Sequence, residues 1–231
     1  MSFVFEPQAV TAVPIVGESA TFPVRRVYCV GRNYAAHARE MGKDPDKEPP
    51  FFFMKPADAI VPGGGNIHYP PGTSNYHHEI ELVVAIARGG RRIPVDQALG
   101  HVFGYGVGLD MTRRDLQFAA RDLGRPWDFG KSFDESAPLG PLQRAAQTGH
   151  PAKGTVELEV NGEVRQKGDL ADLIWSVPET ISYLSDFYLL APGDLIFTGT
   201  PAGVGAVVPG DRLVGRVEGF GSLEVTIIPA L

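Results

Sequence analysis

Glu79 and Glu81 open the run Ile80-Glu81-Leu82-Val83-Val84-Ala85-Ile86, which is otherwise apolar and rich in β-branched residues. Such a run reads as a strand. On a strand, residues i and i+2 share a face, ~6–7 Å apart at Cα. Two like charges on one face beside an apolar run are costly unless something neutralises them. A divalent cation would do so, and oxygen-only ligands favour a hard ion such as Mg2+, Mn2+ or Ca2+. A simply solvated strand end would also accommodate the pair, and this stretch alone leaves both readings open. Asp110 adds a third carboxylate at the end of the Gly-rich strand Val102-Phe103-Gly104-Tyr105-Gly106-Val107-Gly108-Leu109.

Two further groups could move protons. His37 and Glu40 stand i and i+3 on a short predicted helix over residues 34–41, with Ala35, Ala36 and Ala38 as helix formers and Gly42 as its stop. Side chains at that spacing are neighbours, ~5–6 Å apart at Cβ. A carboxylate beside an imidazole raises its pKa and orients the ring, as a general base requires. An ordinary surface pair has the same spacing. The charged, Pro-rich segment that follows, through Pro50, reads as a loop that would move with this helix as a lid. Lys131 lies between aromatics in the predicted loop from Trp127 to Asp134. Partial burial there would lower its pKa, whereas a stem lying on the rings with its head in water would not.

The elements that must position these groups are short. Val27–Val30 and Phe51–Met54 read as strands, the second ending in Lys55. Thr112 is a reasonable N-cap for a helix over residues 113–123, on which Arg114 and Gln117 share a face. Thr155 to Gln166 alternates around Asn161-Gly162 and predicts a hairpin, with Glu157 and Glu159 on its wet face. Residues 178–188 carry helical spacing (Ile181, Leu184, Tyr188), and Asp194–Phe197 is a strand running into Thr198-Gly199-Thr200. Gly63-Gly64-Gly65 is a turn and not a phosphate loop, because GxxxxGK[ST] is absent and no helix follows. The expected organisation is an N-terminal extension over residues 1–24, an extended leader with at most one strand, and a single α+β domain over 25–231.

The totals narrow the function classes. The 231 residues contain 28 Gly and 20 Pro, which points to a turn-rich, β-rich fold. A net charge of −6 argues against nucleic acid or an anionic membrane as main partner. The single cysteine, Cys29, forms no internal disulfide and suits the cytoplasm. The first residues lack a signal-peptide pattern, and no apolar run approaches the ~18–20 residues of a membrane span.

Taken together, Tyr28-Cys29-Val30-Gly31-Arg32-Asn33-Tyr34, His77-His78-Glu79-Ile80-Glu81-Leu82, Leu109-Asp110-Met111-Thr112, Arg114-Asp115, Gly130-Lys131-Ser132-Phe133 and Thr198-Gly199-Thr200-Pro201 resemble the signature segments of the fumarylacetoacetate hydrolase family. The resemblance implies a mixed β-roll and β-sandwich fold with few short helices, usually a homodimer. It implies a divalent ion, Mg2+ first and Mn2+ or Ca2+ otherwise, on Glu79, Glu81 and Asp110. His37 and Glu40 would activate water from a lid, and Lys131 would stabilise and protonate an enolate. Arg114, Gln117 and Thr200 match substrate-contacting positions. Arg32, Arg39 and Lys43, near His37, are candidate readers of a distal substrate carboxylate. The length fits the compact acylpyruvase type, and the lid region is most similar to members that cleave fumarylpyruvate in gentisate breakdown. Oxaloacetate decarboxylation, isomerisation or hydrolysis of a 2-hydroxymuconate-type acid, and a metal-stabilised binding protein are the alternatives.

Overall fold

The protein is described here by a computed structural model, which covers residues 2–35 and 48–231. Its centre is the Ile80–Ile86 strand, all seven residues of which are buried. It pairs antiparallel with Val102–Leu109 on one side and with Asp194–Phe197 on the other. Asp194–Phe197 in turn runs parallel to Arg26–Gly31, whose other edge is Phe51–Lys55. Ala137–Leu139 and Ile60–Pro62 extend the far side of this eight-stranded sheet. A five-stranded sheet stands against it, ordered Glu163–Asp169, Thr155–Val160, Arg212–Val217, Ser222–Ile228, Gly65–His68. Helices are few, and the longest described ones are Arg114–Asp122 and Val177–Phe187. This is the α+β, mixed-sheet fold expected from the sequence. No helix among the described residues is long and apolar enough to cross a membrane.

Alternation sorts the central sheet into two cores. Ile80, Leu82, Val84 and Ile86 face the second sheet, with Leu158, Leu213 and Val225, and the Val177–Phe187 helix through Ile181 and Leu184. Val83 and Ala85 face the other way, together with Val27, Cys29, Leu195 and Phe197. A strand buried on both faces explains the unbroken apolar run. Gly108 is required by this packing: a Cβ there would lie 2.6 Å from Val83 and 2.7 Å from Phe197. The segment ahead of residue 25 closes the second core. It contains two strands, Ala12–Pro14 and Thr21–Pro23, paired with each other, and Val13, Phe22 and Val24 are buried in that core.

Several local expectations meet their physical cause here. The Asn161-Gly162 turn has φ of 54° and 82°, the pair of positive angles that a two-residue type I′ hairpin needs. Glu157 and Glu159 pair on the outer face with Lys167 and Arg216. Thr112, however, is not a cap: Arg113 precedes the helix and no side chain caps it. The Val177–Phe187 helix carries a device the sequence reading passed over, a capping box between Ser176 and Glu179 with a proline in the first turn. Ser176→Ala should cost about 1 kcal/mol. In a domain of this size that is a fall of roughly 2–4 °C in Tm. A thermal melt measures it, and activity should be unchanged because the box lies outside the acidic cluster.

Candidate active site

The strand pairing brings the acids together. Ile80 is paired with Leu109, so Glu79 and Asp110 leave adjacent strands at the same end, joined by Asp110 N–H to Glu79 O at 2.9 Å. Glu81 sits two residues into the strand on the same side as Glu79. One ligand oxygen from each of Glu79, Glu81 and Asp110 lies within 4.8 Å of the others. The three residues are 4 %, 2 % and 1 % exposed, which excludes the solvated strand end.

Buried cations surround the cluster. Lys131 Nζ donates to Glu79 Oε2 (2.8 Å), Asp110 Oδ2 (2.6 Å) and Thr112 Oγ1 (2.7 Å). Arg114 Nη2 donates to the other Glu79 oxygen at 2.5 Å, and its Nη1 to Gln117 one helical turn on. Burial and the Arg114 guanidinium push His77 down to about 4, so its Nδ1 is free to accept from Arg114 Nε at 3.4 Å. Lys55 Nζ is 2.9 Å from Asp110 Oδ1 and donates to Met111 O and Lys131 O. Glu81 instead accepts from the main-chain N–H of Gly199 at 2.7 Å. Gly199 has φ +99°, and a Cβ there would lie 2.7 Å from Asn33 Cβ, so only glycine presents that N–H.

The electrostatics correct one expectation. Lys131 is fully buried, and lies in a short helical turn, Asp128–Lys131, rather than in a loop. Burial opposes its charge, but Asp110 and Glu79 outweigh it, and its pKa is raised, not lowered. Glu81 is the group left out of balance. Burial, then Asp110 and Glu79, push its carboxyl well above the usual range. Asp110 Oδ1 is buried and lies 2.9 Å from Lys55 Nζ. A carboxylate held in a buried corner against two others forms an all-oxygen donor set that suits a hard divalent ion.

Beside the acids is a cavity of about 20 Å³, also lined by Arg114, Gln117 and Thr200. That volume is the size of an ion or one water. A second cavity of about 680 Å³ adjoins it, and Arg32, Phe53, Trp127 and Lys131 line both. Arg32, Lys131, Arg114, Gln117 and Thr200 therefore gather around the acidic cluster. His37 and Glu40, with Arg39 and Lys43, lie outside the described residues. Sequence reading missed Lys55 and Asn33. Asn33 Nδ2 donates to Thr198 O and Trp175 O, and its Oδ1 accepts from Trp175 N–H, which ties the Gly199 loop in place. A lysine closing the apolar run Phe51-Phe52-Phe53-Met54 was the available signal for Lys55.

Glu81→Gln tests the donor set. The amide oxygen can still accept from Gly199, so the metal-free protein should melt no lower than the parent. Divalent-ion affinity by calorimetry should fall at least about 10-fold, the scale of losses on disturbing a metal site. Unchanged affinity would overturn the assignment.

The family model described as fumarylacetoacetate (FAA) hydrolase C-terminal matches residues 26–228. Fumarylpyruvate hydrolase of Ralstonia sp is 49 % identical over 195 residues, 82 % of this chain and 100 % of that protein. The crystal structure of fumarylpyruvate hydrolase from Pseudomonas aeruginosa in complex with Mn2+ and pyruvate superposes with a TM-score of 0.97 at 59 % identity, covering 99 % of this chain and 100 % of that one. A mitochondrial oxaloacetate tautomerase of Homo sapiens is 41 % identical over 203 residues, 88 % of this chain and 91 % of that protein. The chain belongs to the fumarylacetoacetate hydrolase family.

Proposed function

We propose that this protein is a metal-dependent hydrolase that cleaves the C–C bond of an acylpyruvate, with fumarylpyruvate as substrate and fumarate and pyruvate as products. The observation that carries this reading is the buried Glu79, Glu81 and Asp110 cluster, braced by Lys131 and opening toward the 680 Å³ cavity. The names of the Ralstonia and Pseudomonas relatives support it, and the pyruvate in the latter's structure is the product this cleavage would release. The same reading makes the enzyme a cytoplasmic homodimer acting in gentisate breakdown.

Glu79, Glu81 and Asp110 would hold the ion, for which Mg2+ is the proposal and Mn2+ or Ca2+ the alternatives. When bound, the ion would act as a Lewis acid toward the carboxylate and 2-oxo group of a 2,4-dioxo acid. Charge supports this assignment. Burial beside Asp110 and Glu79 penalises the charge on Glu81, and an added divalent ion would relieve that penalty and bring two positive charges to the site. The substrate carboxylate and the negative charge developing on the 2-oxo oxygen offset them.

The chain's own groups supply the rest. Arg114, Gln117 and Thr200 orient the pyruvyl end. His37, held by Glu40, takes a proton from water as the water oxygen attacks C4. The C3–C4 bond then breaks, its electron pair passing to C3 as the enolate of pyruvate. Lys131 would offset that charge and return a proton to C3. The water oxygen leaves in fumarate.

The tautomerase relatives favour a second reading, enol–keto chemistry on oxaloacetate; its decarboxylation is a further alternative that uses the same α-keto-acid end and no attacking water. Purified enzyme with Mg2+ should show its highest kcat/KM on fumarylpyruvate, then acetylpyruvate, then oxaloacetate. Oxaloacetate as the best substrate would replace the hydrolase reading. Chelation should abolish turnover and Mg2+ restore it. His37→Ala should lower kcat by about 10²–10⁴ while metal affinity by calorimetry is kept. Collapse of that affinity would make His37 a ligand instead of a base.

A further inference from the structure

Arg32 has a conformation and a setting that the chemistry at the acidic cluster does not use. Its φ is +57°, a left-handed angle that costs a non-glycine residue energy and concentrates at functional positions. The preceding residue explains how the turn closes: a Cβ on Gly31 would lie 2.0 Å from the Phe51 ring, so Gly31 lets that ring fold down over the chain. Arg32 then passes beneath it, its guanidinium carbon 5.1 Å from the Phe51 ring centre and 5.8 Å from that of Trp127. The two rings meet edge-on at 5.1 Å. Its Nε is buried without a hydrogen-bond partner among the described residues. Among the described residues the carboxylate that faces it is Glu48, which stands off at 3.6 Å and is 60 % exposed, a loose contact at the limit of an ion pair. Arg32 is also one of the four residues shared by the small acidic cavity and the large one, so any substrate reaching from one to the other passes it.

We infer that Arg32 is the specificity-determining residue for acylpyruvates whose acyl arm ends in a carboxylate, and that Glu48 competes with that carboxylate for it. This rests on the acylpyruvate hydrolase reading above and names the part of the substrate it left open. A planar, conjugated arm fits against flat aromatic faces, and the bidentate fork of a guanidinium fits a carboxylate at its end. The aromatic faces already hold the guanidinium in place, so little side-chain entropy remains to be lost on binding. Glu48 makes the selection sharper: a neutral arm gains nothing by displacing it, whereas an anionic arm replaces a loose, solvated partner with a close one.

The test compares fumarylpyruvate with crotonylpyruvate, which keeps the planar arm and carries a methyl group in place of the distal carboxylate. The wild-type protein should prefer fumarylpyruvate in kcat/KM by about 10–100-fold, the range of one hydrogen-bonded charge contact. Arg32→Met should remove most of that preference through KM for fumarylpyruvate, and Arg32→Lys should keep part of it. Glu48→Gln, at an exposed position, should lower KM for fumarylpyruvate by about 2–5-fold, the size of an exposed ion pair, and leave crotonylpyruvate alone. Calorimetric binding of Mg2+ verifies that each variant is folded. Equal losses on both substrates in Arg32→Met, or an unchanged preference, would overturn the inference. Failure of the wild-type protein to cleave either substrate would instead overturn the hydrolase reading.

Discussion

Three carboxylates forced into one buried corner are the constraint that the rest of the molecule answers. Nothing in an apolar interior tolerates Glu79, Glu81 and Asp110 side by side without compensation. Lys55 reaches in from an edge strand, Lys131 from a single helical turn, and Arg114 from the first residue of a nine-residue helix. Glu81 is met by a main-chain amide whose loop exists in that shape because residue 199 is glycine and Asn33 ties the chain behind it. Each element near the site thus has an electrostatic duty as well as a packing one. The small helices are where they are because a cation has to be delivered there. The result is a corner with little slack, since buried ionic clusters contribute fold stability only when every member is satisfied.

Much of this was legible in the chain. The strand Ile80–Ile86, the Asn161-Gly162 hairpin and the two longer helices follow from local pattern, and local pattern is what short-range physics determines. The three acids and Arg114 with Gln117 were readable because each marks a strand end or a shared helix face. What escaped notice is non-local. Lys55 is 55 residues from its partner Asp110, and nothing near it in sequence announces a carboxylate. The pKa of Lys131 moved opposite to expectation for the same reason: burial was legible from the aromatics, while the two acids that outweigh it come from other strands. Thr112 has the right side chain for a cap, but its hydroxyl donates to Asp110 O and accepts from Lys131. The leader was underestimated because its strands are three residues long and end in proline, below the length at which alternation is visible.

The two cavities divide the labour by size. One accommodates an ion or a water and is walled by charge. The other is large, and its described walls are mainly aromatic and aliphatic, with charge at Arg32, Glu48, Asp128 and Lys131. Under the proposed function, chemistry common to α-keto acids would fall to the first, and discrimination among acyl groups to the second. A family whose relatives carry both hydrolase and tautomerase names is what such a division allows, because the walls of the larger space can change without disturbing the acids.

The hydrogen bond from Asp110 N–H to Glu79 O has a consequence for how the protein matures. The ligand spacing is written into the pairing of two antiparallel strands, Glu81 opposite Gly108, and not into flexible side chains. A slip of one residue in that ladder would turn Glu79 and Glu81 to the opposite face and dismantle the donor set. Ions in the surrounding solution would then stabilise only chains whose central sheet is in register. On the proposed metal assignment, uptake would be a form of proofreading, in which the cation also selects, during folding, the one alignment able to hold it.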